Sequence, residues 1–156
     1  MKNALNVAEC YVVLNKIFKF NFFKRYQDYK KVIFTQICIP TIEKEGLNSN
    51  ISLHFGKTPY FAFLKEKNGE IEDIRFIESK GKHTGGSITP AEIILNSDTD
   101  ILICGNLGSK AVNMLQKNNV KVFSGANGCV NDIFEQWKSG NLDIADKNSC
   151  SSKMVH

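Results

Sequence analysis

Cysteine is sparse in this chain and does not pair up. Five residues (Cys10, Cys38, Cys104, Cys129, Cys150) are odd in number and widely spaced, with no CxxC and no Cys/His knuckle. Neither a disulfide framework nor a preformed zinc site is signalled, and a reducing cytoplasm is the default expectation. Long apolar runs are missing too. The most hydrophobic stretch, YVVLNKIFKFNFF over residues 11–23, is broken by Asn15, Lys16, Lys19 and Asn21 and has no small-residue cleavage motif after it. That argues against both a spanning helix and a signal peptide. There is no nucleophile elbow, Walker loop or HExxH motif, and the loop at Gly105 does not fit GxGxxG. Paired carboxylates are absent from the strand-like runs, apart from Glu72 and Asp73 on a hairpin and Asp100 at a strand start, which disfavours a hydrolase built on acidic metal ligands.

What is present describes one globular domain. The 156 residues have ordinary apolar and charged content, enough chain to bury a core. Net charge is +4 but uneven: seven Lys and Arg stand against Glu9 and Asp28 in the first 31 residues, so that segment carries +5 and the remainder −1. A nearly neutral body argues against a nucleic-acid surface, which needs a clustered basic face. In the N-terminal segment, Lys16, Lys19, Lys24 and Arg25 interleave with Ile17, Phe18, Phe20, Phe22 and Phe23. A basic amphipathic helix on a membrane or partner is one reading. The favoured ones are an extra packed helix, a disordered extension, or a start assigned too far upstream. The domain pattern begins at Val32.

From there strands and helices alternate. Residues 32–39 are rich in β-branched side chains and stop at Pro40, predicting a buried strand. Residues 60–65 and 71–77 flank Asn68-Gly69, the dipeptide that most readily supplies two positive φ angles, so they pair as an antiparallel hairpin. Thr89-Pro90-Ala91-Glu92 reads as an N-cap, a proline at the first helical position and a capping-box glutamate, with a helix through Leu95. Residues 100–104 form a continuous apolar run ending at Gly105, as in a central strand. A second helix begins near Ser109 with Val112 and Leu115 inward, and residues 120–123 give another strand. Val130, Ile133, Phe134 and Trp137 then mark a last helix by their spacing, capped by Gly140. The expected architecture is α/β, a mixed sheet of an antiparallel hairpin and parallel strands covered by helices on both faces. The domain is expected over residues 32–142, between the extension at 1–31 and a polar tail at 143–156.

In such a sheet ligands collect beyond the carboxyl ends of the parallel strands. The loops there are Gly105-Asn106-Leu107-Gly108 and Gly125-Ala126-Asn127-Gly128, each leading into a helix whose free N–H groups could cradle an anion, with Gly85-Gly86 a third of the kind. Glycine at these turns also has a purely geometric explanation. His54 and His83 lie in loops outside the strands. A lone loop histidine is often just solvated, yet His54, set between apolar residues and followed by Gly56, is the candidate soft ligand or proton donor. Cys129 opens the last helix, where a thiolate is favoured by the dipole, whereas Cys38 and Cys104 sit inside strands and read as core.

The assembled motifs resemble the dinitrogenase iron-molybdenum cofactor biosynthesis family, the NifX type of domain also found as the C-terminal part of NifB. The resemblance rests on Ile37-Cys38-Ile39-Pro40; on Ser52-Leu53-His54-Phe55-Gly56-Lys57-Thr58-Pro59-Tyr60-Phe61, where the family reads S-P-H-F-G-x-x-x-x-F; on His83-Thr84-Gly85-Gly86; on the run from Asp100 to Gly108; and on Gly125-Ala126-Asn127-Gly128. Leu53 stands where proline is usual. The resemblance implies a ribonuclease H-like three-layer α/β/α domain in the cytoplasm. It implies an accessory role without catalysis, carrying an iron-sulfur or iron-molybdenum cofactor precursor between donor and acceptor proteins. By that resemblance His54 matches the HFG histidine and is the leading metal ligand, with His83 and Cys129 as further candidates. Gly85, Gly86, Gly105, Asn106, Gly108 and Gly128 would shape the site. Imidazole suits iron, and an anionic sulfide-rich cluster gains from N–H dipoles. A metal-free module binding a protein partner or an anionic metabolite is the alternative. A nuclease, suggested by the fold alone, is the weakest reading.

Overall fold

The computed structural model describes residues 34–79 and 88–145. The N-terminal extension, the His83-Thr84-Gly85-Gly86 motif and residues 146–156 lie outside the described residues. The strands are β1 Thr35–Thr41, β2 Tyr60–Lys67, β3 Glu70–Glu78, β4 Ile101–Ile103, β5 Lys121–Ser124 and β6 Asp143–Ile144. The helices are α1 Pro90–Leu95, α2 Ser109–Lys117 and α3 Val130–Lys138. One sheet runs β3-β2-β1-β4-β5-β6, with β2 antiparallel to β1 and β3, β4 parallel to β1, β5 parallel to β4, and β6 antiparallel to β5. This is the ribonuclease H-like order that the resemblance implied.

Alternation along the strands sends side chains to two cores. On one face Cys38, Phe61, Phe63, Leu102 and Val122 pack with Ala91 and Ile94 of α1 and Val112 and Leu115 of α2. On the other, Ile37, Ile39, Leu64, Ile101 and Ile103 pack with Val130, Ile133 and Phe134 of α3. The result is three layers. The predicted inward stripes of α2 and α3 are the buried ones, with Trp137 partly buried at the edge of its cluster.

The local signals at the hairpin and at α1 work as their chemistry requires. Asn68 and Gly69 both take positive φ, +55° and +82°, joining β2 to β3, and the Glu66 carboxylate accepts the Gly69 N–H at 2.7 Å. At α1 the Thr89 hydroxyl accepts from the Glu92 N–H (3.3 Å) while Glu92 Oε2 accepts from the Thr89 N–H (2.6 Å), a complete capping box with Pro90 in the first turn.

Two boundaries differ from expectation. The first strand continues through Pro40 to Thr41 instead of stopping at the proline. β1 pairs with β4 only at Ile37 and Cys38; past them the neighbour is residues 49–52, which Pro40 meets through its carbonyl alone, accepting from Ser52 N at 2.8 Å. The sheet also extends beyond Leu142, because Asp143 and Ile144 pair with Ser124 and Phe123, and Ala145 is buried. The polar composition there reflects an edge strand with both residues exposed.

Candidate functional site

Three loops meet at the carboxyl ends of β1, β4 and β5, and the chain at residues 49–54 joins them. β4 is three residues long, and the segment at 49–52 takes the position its continuation would have had. On one side Ser52 N donates to Pro40 O (2.8 Å) and Ile42 N to Asn50 O (3.0 Å). On the other, Ile51 N donates to Gly128 O (3.0 Å) and Val130 N to Ser49 O (2.9 Å). Thr58 holds the far end of this loop, its buried hydroxyl within hydrogen-bonding distance of the carbonyls of Thr41 (3.1 Å) and Tyr60 (3.0 Å). Residues 53–54 then run alongside the loop after β4, where His54 and Asn106 form a parallel bridge.

Each loop buries an apolar residue and exposes the polar one before or after it. Phe55 is buried, its ring 5.9 Å from that of Phe61 in an edge contact, while His54 is exposed. Leu107 is buried in the same core and Asn106 is exposed. Ala126 is buried in the opposite core and Asn127 is exposed. Burying Phe55 or Leu107 is worth about 1.5–3 kcal/mol, which favours the course of those two loops, whereas Ala126 contributes less and its loop is held by backbone hydrogen bonds. His54 precedes a single 3-10 turn, Phe55–Lys57, in which Lys57 N donates to His54 O at 3.0 Å.

The two glycine loops are not equivalent as anion cradles. In the loop after β5, Gly125 N donates to Gly105 O (2.9 Å), Ala126 N to Cys104 O (3.2 Å) and Gly128 N to the Asn127 side-chain oxygen (3.0 Å). Those donors serve the protein itself. Gly128 has φ +108°, and a Cβ there would sit 3.3 Å from Asp132 Oδ2, so glycine is structurally required. In the loop after β4, Gly105 is buried under Leu53: a Cβ would lie 3.1 Å from Leu53 Cδ2 and 3.4 Å from its Cα. Gly108 differs from both. It is the N-cap of α2, exposed, with φ −69°, no side-chain cap and nothing within 4 Å of where a Cβ would be.

Cys129 is the N-cap of α3, and its thiol donates to Asp132 Oδ2 at 3.1 Å, engaging the sulfur with the helix's own first turn. Cys38 and Cys104 are fully buried in the α1/α2-side core. Burial, together with the neighbouring Cys104, pushes the Cys38 thiol well above its ordinary range. Asp100 is structural, its Oδ2 accepting the Gln36 N–H at 2.8 Å. His83, Gly85 and Gly86 lie outside the described residues. Among the described residues, no group of three or more His, Cys, Asp and Glu converges to hold a metal ion. The structure therefore brings His54, Asn106, Gly105 and Gly108 to one edge, with Gly128 and Cys129 at the adjoining loop. Sequence reasoning gave no role to Ser49, Asn50 and Thr58, which tie the loop to its neighbours through backbone groups and the Thr58 hydroxyl; Thr58 before Pro59, closing the loop, was the available hint.

The sequence profile of the family described as dinitrogenase iron-molybdenum cofactor matches residues 36–140. The chain belongs to this family. It therefore falls in a group associated with biosynthesis of the iron-molybdenum cofactor. An uncharacterized protein of Methanocaldococcus jannaschii is 27% identical over 99 residues, covering 62% of this chain and 83% of the relative. Among solved structures, the apo form of the orange protein from Desulfovibrio gigas superposes with a TM-score of 0.62 at 19% identity, over 71% of this chain and 92% of that one. A candidate NifB protein from Thermotoga gives 0.55 at 21% identity, over 70% and 92%. At these identities the two structures speak for the shared fold alone. Among the described residues, no helix of this cofactor-family domain is long and apolar enough to cross a membrane.

Proposed function

We propose that this domain is an accessory carrier that holds an iron-sulfur or iron-molybdenum type cluster during cofactor assembly, receives it from a donor protein and passes it to an acceptor, with no catalysis of its own. Family membership supports the reading, and the observation that carries it is the exposed His54, its backbone bridged to Asn106 in the loop that leads to the N-terminus of α2. One imidazole supplies a single soft-metal bond, and the uncapped first turn of α2 offers N–H groups to the anionic sulfides of the cargo. A single side-chain ligand suits a transient cargo better than a resident one, because release requires breaking few bonds.

The test is anaerobic titration with a cluster donor, read by metal content and visible absorption, for wild type beside His54→Ala. Stoichiometric uptake lost in His54→Ala, with unchanged thermal unfolding, supports the carrier. Uptake indifferent to His54 refutes its role as ligand and moves the search to Cys129 and His83. The lack of a three-ligand cluster among the described residues favours a second reading, a metal-free module for a protein partner or an anionic metabolite. Failure of both proteins to take up metal would favour it.

A further inference from the structure

Two Asn-Gly pairs occur in the chain, Asn68-Gly69 and Asn127-Gly128, and the fold treats them differently. Asparagine before glycine is the pair most open to intramolecular attack, since no Cβ shields the following amide nitrogen. In the β2–β3 turn, the Gly69 N–H points to the Glu66 carboxylate at 2.7 Å, in a turn whose two positive φ angles are fixed by the ladder on each side. In the loop after β5, the Gly128 N–H donates instead to the side-chain oxygen of Asn127 at 3.0 Å. That contact keeps the Gly128 nitrogen 3.0 Å from the oxygen of the amide it must attack, and the proton it donates is the one that must leave before the nitrogen reaches Cγ. Asn127 is exposed, so water and base reach it. It also lies two residues before the N-cap of α3, where the helix dipole favours the negative charge formed on conversion while the Asp132 carboxylate beside Gly128 opposes it.

We propose that Asn127 is a self-modification site. After its proton is lost to solvent, the Gly128 nitrogen bonds to Asn127 Cγ. The Cγ–Nδ2 bond breaks, and the departing nitrogen takes up protons and leaves as ammonia. Water then opens the resulting succinimide at either carbonyl to give aspartate or isoaspartate. The net change exchanges ammonia for water, with no oxidant or reductant. Isoaspartate adds a backbone carbon next to Gly128, whose carbonyl accepts from Ile51 N, so it loosens the seam between this loop and residues 49–54. Resting on the carrier reading, the new carboxylate also lowers the affinity of this edge for an anionic cargo, which would make conversion a slow timer on the site.

The experiment ages the purified full-length protein in mildly alkaline buffer, folded and in parallel unfolded in urea. Peptide mapping by mass spectrometry then follows acid and isoaspartate at both Asn-Gly pairs. The expected result is conversion at Asn127 several-fold ahead of Asn68 in the folded protein, with the lead gone in urea. Asn127→Gln should abolish conversion in its own peptide and leave the Asn68 peptide unchanged. Conversion at Asn68 as fast as at Asn127 when folded, an intact Asn127, or an equal lead in the unfolded chain would each overturn the proposal. Because conversion is read by mass, its failure is distinct from any failure to bind cargo.

Discussion

Replacing Gly105 with alanine perturbs the close approach of Leu53, the residue before His54, and tests whether that packing sets the histidine's position. The added Cβ would meet Leu53 Cδ2 at 3.1 Å, Leu53 Cα at 3.4 Å and Ala126 O at 3.5 Å. The backbone at Gly105 needs no positive φ, so the cost is one of space alone. Overpacking costs about 1–3 kcal/mol, and the alanine returns roughly 0.4–1 kcal/mol by restricting the unfolded chain. The net destabilisation is about 0–2.5 kcal/mol, towards the lower half because the nearest atom ends an exposed side chain, with a fall in Tm of roughly 4 °C per kcal/mol. Leu53 is 49% exposed, so the end of its side chain can turn aside, and the 3.4 Å contact with Leu53 Cα is what presses residues 53–54 away from Asn106. Urea unfolding of Gly105→Ala, Leu53→Ala and the double variant reads the energetics. The NMR signals of the His54 ring read the displacement. Because Leu53→Ala removes the Cδ2 that the new methyl would strike, the double variant should recover most of the loss, a favourable coupling of about 1 kcal/mol. Additive energies, or an unmoved His54 signal in Gly105→Ala, would refute the claim that this contact sets the histidine's position.

Other consequences follow from buried groups and caps. Thr89→Ala removes half of the α1 capping box and should cost about 1 kcal/mol in urea unfolding, with Thr89→Ser restoring most of it; an unchanged midpoint would show that the box contributes nothing. Thr41 Oγ1 is fully buried with no hydrogen-bond partner among the described residues, so Thr41→Val, of equal shape, should leave stability unchanged or raise it by about 1 kcal/mol. A loss there would reveal a hydrogen bond made by that hydroxyl. The Cys38 thiol is raised in the folded state, so unfolding lets it ionise at its ordinary value while folding does not. Its contribution is therefore constant below the ordinary thiol range. Above it, up to the folded value, the contribution falls by about 1.4 kcal/mol per pH unit. Stability measured against pH should drop less steeply in Cys38→Ala, and parallel curves would refute this.

How much of this was legible in the sequence depended on the range of the interaction. The Asn68-Gly69 hairpin and the Thr89–Glu92 box are decided within four residues, and both appear as their local chemistry demands. The α2 and α3 stripes needed only helical spacing. Pro40 misled because a proline need not stop a strand whose neighbour can be held through the carbonyl alone, and here residues 49–52 replace β4 as that neighbour, with Ser52 N donating to Pro40 O. The polar composition after Leu142 concealed β6, since a two-residue edge strand with both side chains exposed carries no apolar signal. The site was half legible: the loops that would line it could be named. That residues 49–54 bind two of them together through backbone pairs left no trace in side-chain identity.

The glycines named as site residues divide by what the fold itself asks of them, and that division tells which substitution reports on a ligand. Gly105 is crowded by Leu53, and Gly128 combines φ +108° with the Asp132 contact, so changing either perturbs the protein before any ligand arrives. Gly108 faces open space with φ −69°, and no contact within the domain accounts for it. Serine is a better N-cap than glycine, so Gly108→Ser should be neutral or stabilising by a few tenths of a kcal/mol in urea unfolding. It nevertheless places a side chain at the uncapped start of α2, where its hydroxyl competes for the same N–H groups. If cargo docks there, Gly108→Ser lowers uptake in the anaerobic titration while leaving the unfolding midpoint at or above that of wild type. Equal uptake by the variant would move the cargo off the end of α2 and leave His54 as the contact to be explained alone.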